Sequence, residues 1–344
     1  MSFLITIVCF ILILGITVTI HEFGHFLFAK KAGIYVYEFA IGMGPKIKTF
    51  HRKGDETEYS IRLLPIGGFV QMAGEEIEED KKIPKNKRLQ SKSWSQRFMT
   101  MVAGVLFNFL LAIVVLFVIA LIKGVTMDAT RISKSNVEGL KKGDNIVEVD
   151  GHFVNNYDKL ALELTIVGDK AFDMKVKHQD GTYDVVKIHP EAVYKNKELK
   201  GYKYGFEIDG IHKHSFLSSI KYAFVKFFNT VEQMFFTIWY LITGHLSLKM
   251  MSGPVGIFSI VGTAASSGII TLLSLLALIS INVGFINLLP IPAFDGGHIL
   301  FLIIEKIKGS PVNSKIENTI HSIFFVLLMI LMVYITFNDI IKLF

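Results

Sequence analysis

The residues best suited to chemistry form the segment His21-Glu22-Phe23-Gly24-His25, near the end of an apolar run. At roughly 3.6 residues per turn, both histidines fall on one helix face and can share a metal ion. Glu22, about 100° round the helix axis, can reach a water on that metal. Such polar residues are rare in apolar spans unless they face a cavity or a partner. The pattern predicts a zinc-dependent hydrolytic site; the alternative is a helix end that merely reaches the membrane interface.

A third ligand must come from elsewhere in the chain, because a catalytic zinc takes three protein ligands and a water. The motif NLLPIPAFDGG at 287–297 interrupts an apolar stretch at 269–304. Its two prolines bar a continuous helix, and irregular backbone at membrane depth is tolerated only against protein or a water-filled cavity. Asp295 is therefore predicted to be the third ligand, with an N-cap of a helix starting at Gly296 as the alternative. Weaker ligand candidates are His298, Glu305 and His321.

Hydrophobic residues make up 51% of the 344 positions, and several long runs contain few charged residues. This distribution is typical of membrane spans joined by soluble segments. The first run lacks a basic start and ends at Lys30-Lys31, which favours a retained span over a signal peptide. Since roughly 20 apolar residues cross a bilayer, the sequence predicts about four transmembrane helices. They comprise residues 1–29, 98–122, 320–337 and a broken third span at 269–304.

Positive charge is concentrated in the segment 30–97, which carries fourteen Lys and Arg residues. The positive-inside rule places this segment in the cytoplasm and residues 123–268 outside. The metal site then lies toward the cytoplasmic half of the bilayer. The net charge of +6 suits an anionic membrane surface, and without a basic stripe interleaved with aromatics it argues against nucleic acid as a partner.

Residues 214–245 are rich in Phe but carry polar side chains at short intervals on one helical face. This pattern predicts an interfacial amphipathic helix on the outer surface, with a fifth span as the alternative. The polar side chains are those of Lys221, Lys226, Asn229, Glu232, Gln233 and Thr237.

A β-hairpin is predicted within the cytoplasmic segment, with arms at 58–63 and 68–72 around a turn at 65–67. The predicted hydrolytic site lies at membrane depth, where the peptide bonds of a helical segment are shielded by their own hydrogen bonds, so a substrate of that kind would have to be held extended before attack. The hairpin is predicted to associate with the membrane and to bind that extended segment, with Ile61 and Val70 as contact positions. An ordinary cytoplasmic hairpin is the alternative.

The composition becomes soluble between about residues 125 and 208, with strand-like runs at 145–150 and 172–177 and Asp-Gly turn signals. The string at 137–151 resembles a bacterial PDZ domain, which implies an inserted extracytoplasmic α+β domain. Domains of this kind bind extended chain ends by adding a strand, and the sequence leaves open whether this groove is used.

Several motifs in the same order resemble the site-2 protease family of intramembrane zinc metalloproteases, over most of the chain. Besides HEFGH and NLLPIPAFDGG, they are IGMGPK at 41–46, LPIGGFVQM at 64–72 and SGPVGI at 252–257. The resemblance implies an α-helical polytopic membrane protein of the bacterial cell membrane, of the type with one PDZ-like domain.

The resemblance also implies roles for individual residues. Zinc is carried by His21, His25 and Asp295, and Glu22 activates the water. Asn287 lies near the scissile bond as a polar group. Asn108 matches an asparagine of the family's second span, although Val105 stands where proline is expected. For Asn108, packing between helices is an equal alternative to a catalytic role.

The function implied is hydrolysis of peptide bonds within single-pass or signal-peptide-like membrane segments, with Zn²⁺ as the cofactor. The resemblance also implies an upstream site-1-type protease that shortens the substrate first. A metal transporter would use the same ligands but predicts repeat symmetry, and no internal repeat is found. A silent scaffold displaying the soluble domain has no use for an intact Glu22.

Overall fold

A computed structural model of the chain describes residues 3–75, 83–127, 130–195, 198–208, 211–213, 215–246 and 251–342. The helices are α1 (Phe3–Lys31), α2 (Trp94–Lys123), α3 (Tyr157–Val167), α4 (Phe216–Ile242), α5 (Pro254–Ser266), α6 (Ile269–Leu288), α7 (Asp295–Lys308) and α8 (Ser314–Ile341). The strands are β1 (Val36–His51), β2 (Glu58–Met72), β3 (Val125–Met127), β4 (Ile132–Ser135), β5 (Asn145–Val149), β6 (His152–Phe153), β7 (Phe172–Lys177), β8 (Tyr183–Ile188), β9 (Glu191–Lys195), β10 (Glu198–Lys203), β11 (Phe206–Ile208) and β12 (Ile211–Lys213). The chain forms two compact units, Met1–Val115 with Ile238–Phe344, and Leu116–Thr237.

Four helices of the described residues are long and apolar enough to cross a membrane: α1, α2, α6 and most of α8. The prediction of a polytopic helical membrane protein with about four spans is confirmed at this level. Both α2 and α8 begin earlier than the predicted 98 and 320, because their first turns are polar and carry no hydropathy signal. The stretch predicted as an interfacial helix is the single helix α4, and its place at the membrane surface stays a prediction.

The predicted break in the third span lies between α6 and α7, where the backbone at Leu289 becomes extended. The glycine pair that follows Asp295 lets the start of α7 pack against the end of α6. A Cβ at Gly296 would lie 1.9 Å from the carbonyl oxygen of Leu289, and one at Gly297 would lie 2.7 Å from Pro292 Cα. Only glycine fits at either position, since real Cβ atoms do not approach neighbours so closely.

The short helix α5 was not predicted, because an apolar helix of 13 residues is too short to read as a span. Its start is held by the buried carboxylate of Asp339 in α8. The Oδ2 atom accepts hydrogen bonds from the backbone N–H groups of Gly253 and Gly256 at 2.7 and 2.8 Å. A carboxylate at a helix N-terminus satisfies free N–H groups and complements the helix dipole. The SGPVGI motif therefore forms the start of α5.

Strands β1 and β2 form a two-stranded antiparallel sheet with register shifts. Phe39 lies opposite both Val70 and Tyr59, so residues 36–41 lie between the two arms of β2. The predicted pairing of 58–63 with 68–72 is therefore wrong: among the described pairings, both arms pair with β1 and not with each other. The sequence showed the turn at 65–67, but it did not show that an earlier strand inserts between the arms.

A charged network joins β1 to β2 at Glu38, which is buried. Burial opposes ionisation of this carboxyl, but hydrogen bonds from Ser60 and Arg62 and the ammonium of Lys46 outweigh it and lower its pKa. Arg62 Nη2 lies 2.7 Å from Glu38 Oε1. The paired carboxylate links the middle of β2 to the first half of β1.

The second unit contains a four-stranded sheet in the order β6-β5-β7-β8, with the helix α3. The side chain of Asn156 caps α3 by accepting a hydrogen bond from the backbone N–H of Lys159. The predicted strands at 145–150 and 172–177 correspond to β5 and β7. An α+β fold here agrees with the sequence, and its likeness to a PDZ domain stays a prediction. The core residues are Ile132, Leu140, Ile146, Val149, Val154, Leu160, Val167, Phe172, Met174, Val176, Val186 and Ile188.

Candidate active site

Three ligand atoms from α1 and α7 converge within a buried site. His21 Nε2 lies 3.0 Å from Asp295 Oδ2, and His25 Nε2 lies 3.2 Å from the same oxygen. The two Nε2 atoms are 3.2 Å apart. Tetrahedral zinc with bonds of about 2.0–2.1 Å separates its ligand atoms by about 3.3 Å. The separations of these three residues match the spacing of zinc ligands.

Hydrogen bonds on the far side of each imidazole prepare the Nε2 atoms for a metal. His25 Nδ1 lies 2.8 Å from the carbonyl oxygen of Thr100 and donates to it, so the ring proton is on Nδ1. Asn108, fully buried in α2, has its Nδ2 atom 3.2 Å from His21 Nδ1, and its Oδ1 has no partner in the described part of the chain. Exchanging the amide O and N lets Oδ1 accept the Nδ1–H of His21. Both Nε2 lone pairs then face Asp295.

Among the described residues, Oδ2 of Asp295 is an acceptor without a donor. This atom is buried and receives no hydrogen bond of acceptable geometry, although two imidazole nitrogens lie close. Two Nε2 lone pairs and a carboxylate oxygen facing one point repel one another unless a cation lies between them. The N-cap alternative is not adopted, since the N-cap of α7 is Phe294. The donor set therefore fits a zinc ion.

A glycine in α1 and another in α2 leave room for the two histidine side chains. A Cβ at Gly104 of α2 would lie 2.3 Å from His25 Nε2 and 2.8 Å from His21 Cε1. A Cβ at Gly24 of α1 would lie 2.4 Å from the carbonyl oxygen of Ala103. The two helices therefore touch backbone to backbone beside the histidines. The sequence analysis did not predict this role for Gly24 and Gly104. The signal that could have shown it is the presence of small residues on both spans, which lets two helices approach closely.

Glu22 lies between the triad and the β1/β2 sheet. Its Oε2 atom accepts a hydrogen bond of 3.1 Å from the backbone N–H of Val70. Gly68 allows the strand to approach, since a Cβ there would lie 2.7 Å from the carbonyl oxygen of Ala40 and 3.8 Å from Glu22 Cγ. Val70 therefore contacts the site through its backbone N–H, while its side chain is buried in the core.

Other predicted site residues lie outside the triad. Asn287 is half-buried in the last turn of α6, and no described contact joins it to the triad. Ile61 is paired on both sides, with Ile41 and with Lys48, so its backbone is not at a free sheet edge. The carbonyl oxygen of Asn108 also accepts a hydrogen bond from Ser280, so this residue joins α2 to α6 as well as contacting His21.

The weaker candidates for the third ligand have other partners. Glu305 forms a bidentate ion pair with Arg97, and its Oε2 lies 2.9 Å from Nη1. His298 pairs with Glu317 at 3.2 Å. His321 contacts the backbone of the loop before α7. None of these contacts places the three residues in the triad.

Comparison with known proteins finds relatives that match nearly the whole chain. The model of peptidase family M50 matches residues 9–331. The chain is 34% identical to the zinc metalloprotease RasP of Shouchella clausii over 98% of this chain and 99% of that protein. It is 33% identical to RasP of Geobacillus kaustophilus over 98% of both chains. The chain therefore belongs to peptidase family M50, the site-2 proteases, and is a membrane zinc metalloprotease.

Proposed function

We propose that this protease hydrolyses peptide bonds within transmembrane segments, with zinc held by His21, His25 and Asp295 and with Glu22 as the general base. The observation that carries the proposal is the convergence of three ligand atoms at 3.0–3.2 Å, with two of them on an apolar helix long enough to span a bilayer. Such residues in a span mark a functional site rather than a structural one.

The chemistry follows from the positions of the residues. A bound zinc ion supplies Lewis acidity toward the peptide carbonyl and activates a water molecule. Glu22 accepts a proton from the attacking water as the new C–O bond forms, and it delivers that proton to the leaving nitrogen as the C–N bond breaks. The N–H of Val70 binds Oε2 of Glu22 and so orients the carboxylate, and Oε1 is the oxygen proposed to take the proton.

The arm of β2 at 68–72 offers an edge for an extended substrate. One side of this arm pairs with residues 36–41, and the N–H of Val70 points to Glu22 on the other side. A chain that adds along this second side would lie beside the general base. The edge position belongs to Val70 and not to Ile61, which has strand neighbours on both sides. Asn287 is kept as a polar group near the scissile bond on the strength of the family resemblance alone.

The proposed substrates are single-pass or signal-peptide-like membrane segments in a bacterial cell membrane. The fourteen cationic residues of the segment 30–97 support a cytoplasmic location for the β1/β2 sheet, with the active site toward that half of the bilayer. The unit containing residues 125–208 is then extracytoplasmic and PDZ-like, and α4 lies in the outer interface. An upstream site-1-type protease would shorten the substrate before this enzyme acts.

The ligand and base assignments are tested together by zinc content and turnover in the detergent-solubilised protein. Glu22→Gln should abolish cleavage while about one zinc per chain is kept, because the base is lost and the ligands stay. Asp295→Ala should lose both zinc and cleavage. The matched control is Glu138→Gln, which makes the same Glu-to-Gln change at an exposed residue of the second unit.

Two results would reject these assignments. Loss of zinc in Glu22→Gln would make Glu22 a ligand or a structural residue. Wild-type zinc content in Asp295→Ala would move the third ligand elsewhere in the chain.

A further inference from the structure

A second group of potential ligands lies outside the triad, where α7 meets the start of α8. Ligand atoms of His298, Glu317 and His321 all lie within 4.8 Å of one another. The imidazole rings of His298 and His321 stack at 4.1 Å between centroids and 21° between planes. His298 Nδ1 lies 3.2 Å from Glu317 Oε1. By composition alone this group could hold a second metal ion.

The hydrogen bonding of His321 argues against a metal at that ring. The backbone N–H of Ala293 donates to His321 Nδ1 at 3.2 Å. An accepting Nδ1 places the ring proton on Nε2, so neither nitrogen has a free lone pair for a metal. Binding a metal through Nε2 would require the ring to lose both protons. His321 is therefore a hydrogen-bond acceptor for the loop that connects α6 to α7.

The group that His321 binds is unusual. Ala293 has a φ of 119°, a conformation that residues with a Cβ rarely adopt. Such a backbone conformation persists only where contacts with the surrounding structure hold it in place. Ala293 stands two positions before Asp295, within the segment between α6 and α7. The conformation of this peptide therefore sets where the carboxylate of Asp295 points.

We propose that His321 is a positioning residue for the zinc site: by accepting the N–H of Ala293 it holds the loop in the conformation that aims Asp295 at His21 and His25. Side chains of α7 hold the ring itself, since His298 stacks on it and Phe301 lies 5.6 Å away between centroids. Glu317 in turn holds His298. The start of α8 is thereby coupled to the third zinc ligand. This inference rests on the proposed ligand set.

The test compares replacements that differ in the position of the acceptor. His321→Asn keeps an acceptor oxygen where Nδ1 stood, because both atoms are bonded to Cγ. His321→Gln moves the oxygen one bond further out, and His321→Leu removes the acceptor. The full-length protein in detergent is titrated with zinc against a chelator. Ser322→Ala, at an exposed neighbour on α8, is the control.

We expect His321→Gln and His321→Leu to weaken zinc binding about 10-fold or more, the lower end of what supporting residues contribute. His321→Asn and Ser322→Ala should stay within about 2-fold of the unaltered chain. Melting temperatures of all variants identify those that are misfolded. Zinc affinity is independent of any substrate, so the readout separates metal positioning from turnover.

Three results would overturn the inference. The first is wild-type zinc affinity in folded His321→Gln and His321→Leu. The second is equal weakening in His321→Asn and His321→Leu. The third is two zinc ions per unaltered chain, with one lost in His321→Asn, which would make the ring a ligand. Asp295→Ala in the same titration separates the two proposals, because its failure to lose zinc would reject the ligand set itself.

Discussion

At the scale of single residues, the proposed zinc site depends on backbone groups as much as on side chains. The carbonyl oxygen of Thr100 fixes the tautomer of His25, and the N–H of Val70 orients Glu22. Gly104 contributes by the absence of a side chain, which leaves room for both imidazoles. Loss of either backbone contact, or a side chain added at Gly104, should therefore act on the metal or the base without removing a ligand.

Gly104→Ala is predicted to weaken zinc binding by about 10-fold or more, since its Cβ would lie 2.3 Å from His25 Nε2. Chelator competition on the purified protein measures the affinity. Gly15→Ala in α1 is the control, because its Cβ would lie 3.4 Å from the nearest described atom, the carbonyl oxygen of Pro65. Equal zinc affinity in the two variants would show that the helices separate at no cost to the site.

The sequence was sufficient to predict that His21, His25 and Asp295 come together beside Glu22, because each combines a chemically specific side chain with an apolar or proline-broken context. It did not identify Thr100, since a backbone carbonyl leaves no signal in the residue type. It placed Val70 among the substrate contacts, but its peptide N–H contacts Glu22. It did not show that Ile61 has strand neighbours on both sides, because sheet order depends on which strand inserts between the arms of β2.

At the scale of elements, hydropathy predicts long spans well and short helices poorly. Each span carries its own signal in roughly 20 apolar residues. The helix α5 carries none, and its start depends on Asp339, which follows Gly256 by 83 positions. The prolines at 290 and 292 did predict the break in the third span, because proline cannot continue a helix.

The edge arm of β2 provides the prediction at this scale. Val70→Pro removes the N–H that binds Glu22, and since this N–H points away from β1 no ladder hydrogen bond is lost. Turnover should fall about 10-fold or more with zinc content unchanged, because general-base catalysis depends on an oriented carboxylate. Val70→Ala, which keeps the N–H, is the matched control. Wild-type turnover in folded Val70→Pro would remove this strand from the mechanism.

At the scale of the whole molecule, the four residues of the proposed site lie in one compact unit of the chain. The unit Met1–Val115 with Ile238–Phe344 contains His21, Glu22, His25 and Asp295. The unit Leu116–Thr237 contains the α+β sheet predicted to be extracytoplasmic. Because none of the described residues of the second unit belongs to the proposed site, the role proposed for this unit is to control which substrates reach the enzyme.

Deletion of residues 127–206, rejoined by a flexible linker, is predicted to preserve zinc binding and the cleavage of a pre-trimmed substrate. It should also permit some cleavage of an untrimmed substrate, because a folded module that excludes bulky substrates has been removed. Both substrates are compared with the intact enzyme, and the same deletion carrying Glu22→Gln is the blank. If the shortened chain is stable and zinc-loaded yet cleaves neither substrate, the unit recruits substrate or organises the site.

The central claim is that the zinc site cuts peptide bonds inside the bilayer. The most direct measurement reconstitutes the intact enzyme and a single-pass substrate in lipid vesicles and identifies the new chain ends by mass spectrometry. The predicted result is a cut within the apolar segment, in its cytoplasmic half, that requires zinc and is absent in zinc-loaded Glu22→Gln. A cut confined to residues outside the apolar segment, or an unchanged cut in Glu22→Gln, would contradict the claim.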